Sequence, residues 1–245
     1  MTESEVGFRR AEELLLAGAF EDCKSIWHGS NYVYLAHLSV EGQEAQFAAI
    51  YKPHRGENPL WDFPDGLYQR EVATYRFSQL IGWPFIPPTV MRDGPQGIGS
   101  VQLFIHHDQE SHYFVQREDP ALVPQLQRMA VFDFAVNNAD RKGGHCLLDA
   151  DARIWGIDHG LCFHEQYKMR SVIWDWAEAP IPPEWLDDLR CVRGKLVEAT
   201  DEALAFAELL SGAEVTATIQ RIDRLLREGV FPKPGPHRSY PWPLV

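Results

Sequence analysis

The chain has 245 residues, 45% hydrophobic and 24% charged, which suits one medium globular domain or two closely packed lobes. Its 23 Lys and Arg stand against 35 Asp and Glu, a formal charge of −12 that disfavours nucleic acid and anionic membranes as broad partners. Cysteines are few and form no CxxC pair, and the start Met-Thr-Glu-Ser-Glu has neither a basic stretch nor an apolar run. A cytoplasmic protein with free thiols and no stable membrane insertion is therefore expected.

Taken in chain order, residues 8–16 have helical composition and end near Gly18. Residues 24–27, 32–40 and 45–51 are rich in aromatic and β-branched or apolar side chains and read as a meander of three antiparallel strands, with turns at 29–31 and 41–43. A Pro- and Gly-rich loop over 53–64 precedes an amphipathic helix, Leu67–Ile81, in which Leu67, Val72, Tyr75 and Leu80 share a stripe and Gly82 is the stop. Two further strands are expected at 89–92 and 100–105, around a Gly-rich turn at 93–99.

The second half is more helical. A helix is expected over 120–137, two short strands at 145–148 and 154–157, and helices over Pro183–Glu198, 201–210 and 213–228. The last fifteen residues, with five prolines, read as packed coil. The chain is thus α+β in two parts: residues 1–105, a linker at 106–119, and residues 120–245. His106, His107, Asp108 and His112 in that linker fit no established metal-ligand spacing.

Chemistry concentrates in two segments. One is the loop after the 120–137 helix, with Asp133, Asn138, Asp140, Arg141, Lys142 and His145; the other is Gly156-Ile157-Asp158-His159-Gly160. Carboxylates from adjacent strand-edge loops can share a site, one orienting a hydroxyl or taking its proton, the other binding a divalent metal, as phosphoryl transfer requires. Taken singly, each segment also reads as a turn, with Asp140 pairing with Arg141 or capping the turn. Lys52, after an apolar strand, and Glu71, on the following helix, are read singly as surface residues. Their order (strand Lys, helix Glu, loop Asp, second Asp) is that of kinase-like folds.

Asp133, Asn138, Asp140 and Arg141 match a D-x4-N-x-D-R pattern, and residues 157–163 match I-D-[NFH]-G-x-x-F. In these motifs the chain resembles the phosphatidylinositol 3-/4-kinase-like branch of the protein-kinase-like superfamily, and a short actinobacterial family assigned to it, over about residues 24–180. The resemblance implies a two-lobe kinase-like fold with an N-terminal antiparallel sheet plus one helix and a mainly helical C-terminal lobe. It implies ATP and a divalent cation (Mg²⁺ or Mn²⁺) as cofactors and an unidentified hydroxyl acceptor. Asp140 becomes the catalytic-loop aspartate, set among Asn138, Arg141 and Lys142. Asp158 becomes the principal metal ligand. Lys52 holds phosphates and Glu71 holds Lys52. Gly29, Ser30 and Asn31 form a phosphate-covering turn, and Gln102, Leu103, Phe104 and Ile105 a hinge strand that meets adenine through its backbone.

One position departs from the pattern: His145 stands where a metal-binding Asn is expected, five residues after Asp140. Imidazole suits transition metals better than Mg²⁺. His145 then binds Mn²⁺, touches phosphate, marks a missing second metal, or is simply a strand-start histidine. Lys142 either neutralises the transferring phosphoryl group or is solvated. In the segment 164–179, Lys168, Arg170, Trp174 and Trp176 either read an acceptor or anchor the loop. The leading expectation is an ATP-dependent phosphotransferase. A nucleotide-binding pseudokinase, a nucleotidyl transferase and a metal-dependent hydrolase are the alternatives.

Overall fold

The computed structural model describes residues 3–26, 31–40, 47–236 and 238–245. In chain order the elements are α1 (Glu3–Ala17), β1 (Ala19–Ile26), β2 (Val33–Ser39), β3 (Phe47–Pro53), α2 (Leu67–Ile81), β4 (Thr89–Gly94), β5 (Gly97–Leu103), α3 (Tyr113–Gln116), α4 (Val123–Val136), β6 (Cys146–Leu148), β7 (Ile154–Gly156), α5 (Pro183–Glu198), α6 (Asp201–Ala207) and α7 (Gly212–Glu228). An antiparallel five-stranded sheet of order β1-β2-β3-β5-β4 is followed by a mainly helical remainder with a small β6-β7 hairpin. The expected α+β, kinase-like arrangement holds.

Strand periodicity explains how the sheet presents Lys52. In β3, Ala49, Tyr51 and Pro53 are buried on one face, so Ile50 and Lys52 share the other. The strand runs two residues beyond the expected Tyr51, which puts Lys52 inside the ladder, opposite Ser100. Gly99 permits this: a Cβ there would lie 2.7 Å from the Pro53 Cα. Strands β4 and β5 also extend further than expected, closing at Gly94 and Gly97 through a tight turn in which Gly97 has φ of +91°. β5 ends at Leu103, so Phe104 and Ile105 lie beyond it.

Other expectations need adjustment. α4 starts at Val123 because residues 120–122 form a turn on Asp119, whose carboxylate accepts from the Ala121 N–H at 2.9 Å. His145 closes a 3₁₀ turn, Gly143–His145, ahead of β6. The stretch 106–119 carries α3, with Tyr113 and Gln116 buried.

Two large apolar clusters support these elements, with a minor third of Phe63, Leu67 and Ala139. The smaller of the two large ones lies under the sheet and joins Leu15, Ala36, Leu38, Ala49, Tyr51, Val90 and Val101. The larger spans the helical remainder and takes in Ala73, Tyr75, Phe77, Leu80 and Ile81 from α2. Phe77 packs against Phe132 of α4 and Phe206 of α6, with both ring centroids at 5.6 Å. α2 is tied down further by a buried ion pair between Arg70 and Glu214 on α7. The Pro-rich tail packs back on the helical part, where Ser171 N–H donates to the Ser239 carbonyl (3.0 Å) and Gly143 N–H to that of Leu244 (2.7 Å).

Removing one member of the Arg70–Glu214 pair strands a buried charge. Glu214→Ala should therefore cost about 3–5 kcal/mol in denaturant unfolding, whereas the double replacement Arg70→Met, Glu214→Leu should recover most of that loss. An unchanged midpoint for the single variant would contradict the role given to the pair.

Candidate active site

The site begins where α4 stops. Asn137 takes a left-handed conformation (φ +56°) and caps the helix, and its side chain ties that helix end to a segment nearly thirty residues further on. Its Nδ2 donates to the carbonyls of His164 (2.8 Å) and Gln166 (2.7 Å), and its Oδ1 accepts from the Lys168 N–H (2.9 Å). One helical turn back, the fully buried Asp133 accepts from Asn138 Nδ2 at 3.0 Å and from Arg141 Nε and Nη2 at 2.7 and 2.9 Å. Arg141 Nη1 also donates to the carbonyls of His145 (3.1 Å) and Ile157 (3.2 Å). Asn138 and Arg141 are both wholly buried. They shape the loop, and neither lines the cleft.

Between these buried residues the loop presents Asp140, whose N–H donates to Asn138 Oδ1 at 3.0 Å. Burial raises the Asp140 carboxyl above its ordinary pKa, opposed by Lys142, whose Nζ lies 2.9 Å from Oδ2.

Opposite stands Asp158, at φ +60°, a backbone conformation unusual for a non-glycine residue. Its Oδ1 accepts from Lys52 Nζ at 2.8 Å and its Oδ2 lies 3.3 Å from His145 Nε2. Lys52 Nζ also pairs with Glu71 Oε1, and Glu71 Oε2 accepts from the His159 N–H at 3.0 Å. Glu71 thus holds both the sheet lysine and the turn carrying Asp158. The Lys52 ammonium keeps the Asp158 carboxyl well below the usual range. Burial alone would lower Lys52, but the Asp158 and Glu71 carboxylates outweigh it and hold Lys52 above its ordinary value. The Asp158 side chain is 48% exposed, so this carboxylate can share a hard cation with phosphate oxygens.

Lys52 and Asp158 separate two adjoining cavities. The inner, of ≈ 350 Å³, is largely apolar: Val33 and Ile50 form one wall, Leu147 and Ile157 the other, and Gln102, Leu103, Phe104 and Ile105 the back. The outer, of ≈ 210 Å³, holds Asp140, Lys142, Glu71 and Gly160 with Asn31, Tyr68 and Leu161. The backbone donors of Leu103 and Phe104 are already engaged, by the carbonyls of Pro88 (2.9 Å) and Ala48 (3.1 Å). Gly29 and Ser30 lie outside the described residues. Asn31 borders the outer cavity, with Oδ1 accepting from the Asn58 N–H at 2.8 Å.

The structure also brings in residues without a sequence signal. Glu57 caps the start of α2, accepting from the N–H groups of Gly66, Leu67 and Tyr68 at 3.2, 2.9 and 2.6 Å, and so fixes the helix that carries Glu71. Val33, Leu147 and Ile157 supply cavity walls that only their strand periodicity hinted at. In the segment after Asp158, Lys168 pairs with Asp62 (3.3 Å), Trp174 is buried and its Nε1 donates to the Ser239 carbonyl (3.2 Å), and Trp176 packs on the larger core. These three anchor the segment. Among the described residues no helix is long and apolar enough to cross a membrane.

A sequence profile of the family Phosphatidylinositol 3- and 4-kinase matches residues 90–186. Protein Rv2133c of Mycobacterium tuberculosis is 39% identical over 228 residues, covering 79% of this chain and 81% of that protein. Phosphatidylinositol 4-kinase gamma 4 of Arabidopsis thaliana is 27% identical over 187 residues, covering 66% of this chain and 33% of that kinase, so the chain spans about a third of it. The crystal structure of the Golgi casein kinase with Mn and ADP bound shares the fold, with a TM-score of 0.62 at 13% identity over 93% of this chain and 76% of that one.

The buried histidines give the site a pH signature. Burial pushes His145 down to about 4 and His159 well below its ordinary value. Both are neutral in the folded chain and take up protons on unfolding below about pH 6.5. Their contribution is complete above that pH and is lost as pH falls toward 4, at about 1.4 kcal/mol per pH unit for each proton. Denaturant unfolding between pH 7 and 4.5 should show this decline, with a shallower slope for His145→Gln; flat stability over that range would refute it.

Proposed function

Since the chain belongs to one family with Protein Rv2133c and matches the phosphatidylinositol 3- and 4-kinase profile over residues 90–186, we propose that it is an ATP-dependent phosphotransferase acting on a hydroxyl of a small polar molecule or a protein. One observation carries this reading: Lys52 from the sheet, held by Glu71 from α2, meets Asp158 at the junction of an apolar cavity and a polar one. That is the layout needed to seat a base on one side and place its phosphates between a lysine and a metal-binding carboxylate.

In this reading the inner cavity takes the adenine between Val33 and Ile50 above and Leu147 and Ile157 below. Lys52 binds phosphate oxygens, and Glu71 keeps its ammonium in place. Asp158 holds a divalent cation, which supplies charge neutralisation at the phosphates. Asp140 orients the acceptor hydroxyl and receives its proton as the new P–O bond forms and the bond to the bridging oxygen of ADP breaks. Lys142, beside Asp140, offsets charge on the transferring group. The acceptor enters through the outer cavity, past Tyr68 and Leu161.

The test uses ATP labelled at the α- or γ-phosphate, with the whole protein and a panel of hydroxyl acceptors. Transfer of the γ-label is expected; transfer of the α-label would mean nucleotidyl transfer, and binding without transfer a pseudokinase. Asp140→Asn should abolish transfer while nucleotide binding stays within about threefold, and Lys52→Met should weaken binding about tenfold through loss of a charge-assisted contact. Full turnover in Asp140→Asn would overturn the assignment.

A further inference from the structure

Building on the phosphotransferase reading, we propose that His145 serves the nucleotide's phosphates as an Nε2–H donor and is not the ligand of a second metal ion, so that the cleft works with a single divalent cation held by Asp158.

Proton placement on the ring separates the two roles. A neutral imidazole has one N–H and one lone pair, and the groups around it decide which nitrogen carries the proton. On one side of the His145 ring, Nδ1 faces the backbone N–H of Lys142 across a long contact of 3.5 Å. An amide N–H can meet only a lone pair. On the other side, Nε2 lies 3.3 Å from Asp158 Oδ2, an acceptor. Both neighbours ask for the same tautomer, with the proton on Nε2. A metal-ligating histidine needs the reverse: a lone pair on the ligating nitrogen and an N–H on the other, given to a carbonyl or carboxylate. Ligation through Nε2 would here aim the Nδ1–H at another N–H.

The loop cannot easily turn to relieve that conflict. The His145 N–H donates to the Lys142 carbonyl (3.2 Å), and its carbonyl accepts from the Ile157 N–H (3.1 Å) and from buried Arg141 (3.1 Å). The ring is itself nearly enclosed, with 13% of the side chain exposed. The ring lines the same cavity as Lys52 and Asp158, with Nε2 on the side of Asp158. When the Asp158 carboxylate turns to a cation, a phosphate oxygen takes over this donor. Lys52, Lys142 and the His145 N–H then surround the phosphates, and the positive charge that a second cation would bring is carried in part by Lys142.

Two measurements on the whole protein decide the matter. The first is long-range ¹H–¹⁵N correlation on the nucleotide-free protein, with the His145 signals assigned by their loss in His145→Gln. A protonated Nε2 and a bare Nδ1 are expected; a protonated Nδ1 overturns the proposal. The second is Mn²⁺ electron-spin-echo spectroscopy with a non-hydrolysable ATP analogue. One Mn²⁺ per protein without imidazole-nitrogen modulation is expected, and a second Mn²⁺ or such modulation overturns it. His145→Ala should weaken analogue binding about tenfold, and His145→Gln, which keeps an N–H, should restore it to within about threefold. If the analogue does not bind at all, the phosphotransferase reading falls and this proposal with it, whereas binding with an imidazole-ligated Mn²⁺ removes only the role given to His145.

Discussion

Asp140, His145 and Asp158 are positioned around one buried ion pair. Asp133 and Arg141 are both fully enclosed, and two charges taken out of water cost several kcal/mol each unless their hydrogen bonds are nearly all met. Arg141 meets that demand by reaching the Asp133 carboxylate, two backbone carbonyls and the His159 ring. These partners belong to α4, to the loop after it and to the β6-β7 hairpin with its following turn. A single guanidinium therefore sets the relative positions of Asp140, His145 and Asp158, although it reaches none of the cleft itself. Because Arg141 is pulled inward, its chain neighbours Asp140 and Lys142 stand at the mouth of the outer cavity.

Much of this is legible in the sequence. The two Asp-containing motifs and the order of Lys52 and Glu71 lead to the residues that the fold gathers. Strand and helix periodicity points to the five-stranded sheet, the helix that bears Glu71 and the helical remainder. The motif cannot separate buried scaffold from exposed reactive groups. Asn138 and Arg141 occupy motif positions just as Asp140 does, and only the tertiary structure reveals which side each one faces. Proline misleads at the end of β3: Pro53 signals a break, yet the ladder includes it as its last residue, since Gly99 lets β5 come close. The Glu57 cap is invisible in sequence because it acts on a helix that begins ten residues later. The apolar walls carry no chemical label at all.

The histidine at position 145 shows how a departure from a pattern becomes interpretable. In sequence it is an exception with several readings. In the structure its ring lies between a donor and an acceptor, and that polarity gives the exception a physical content of its own. The same neighbourhood includes the tail, whose Leu244 carbonyl accepts from the Gly143 N–H inside the loop. The segment connecting Asp140 to His145 is thus supported from both ends of the helical part.

The placement of α2 has a mechanical consequence. Five of its buried side chains, Ala73, Tyr75, Phe77, Leu80 and Ile81, belong to the larger core, and its Arg70 is locked to α7. Glu71 is thereby tied to the helical part that carries Asp158, while Lys52 belongs to the sheet and its separate small core. Widening of the cleft by rotation of the sheet would pull Lys52 from both carboxylates at once. The lysine then acts as a latch between the sheet and the helical part, and the gap between its nitrogen and Glu71 becomes a gauge of how far the two stand apart.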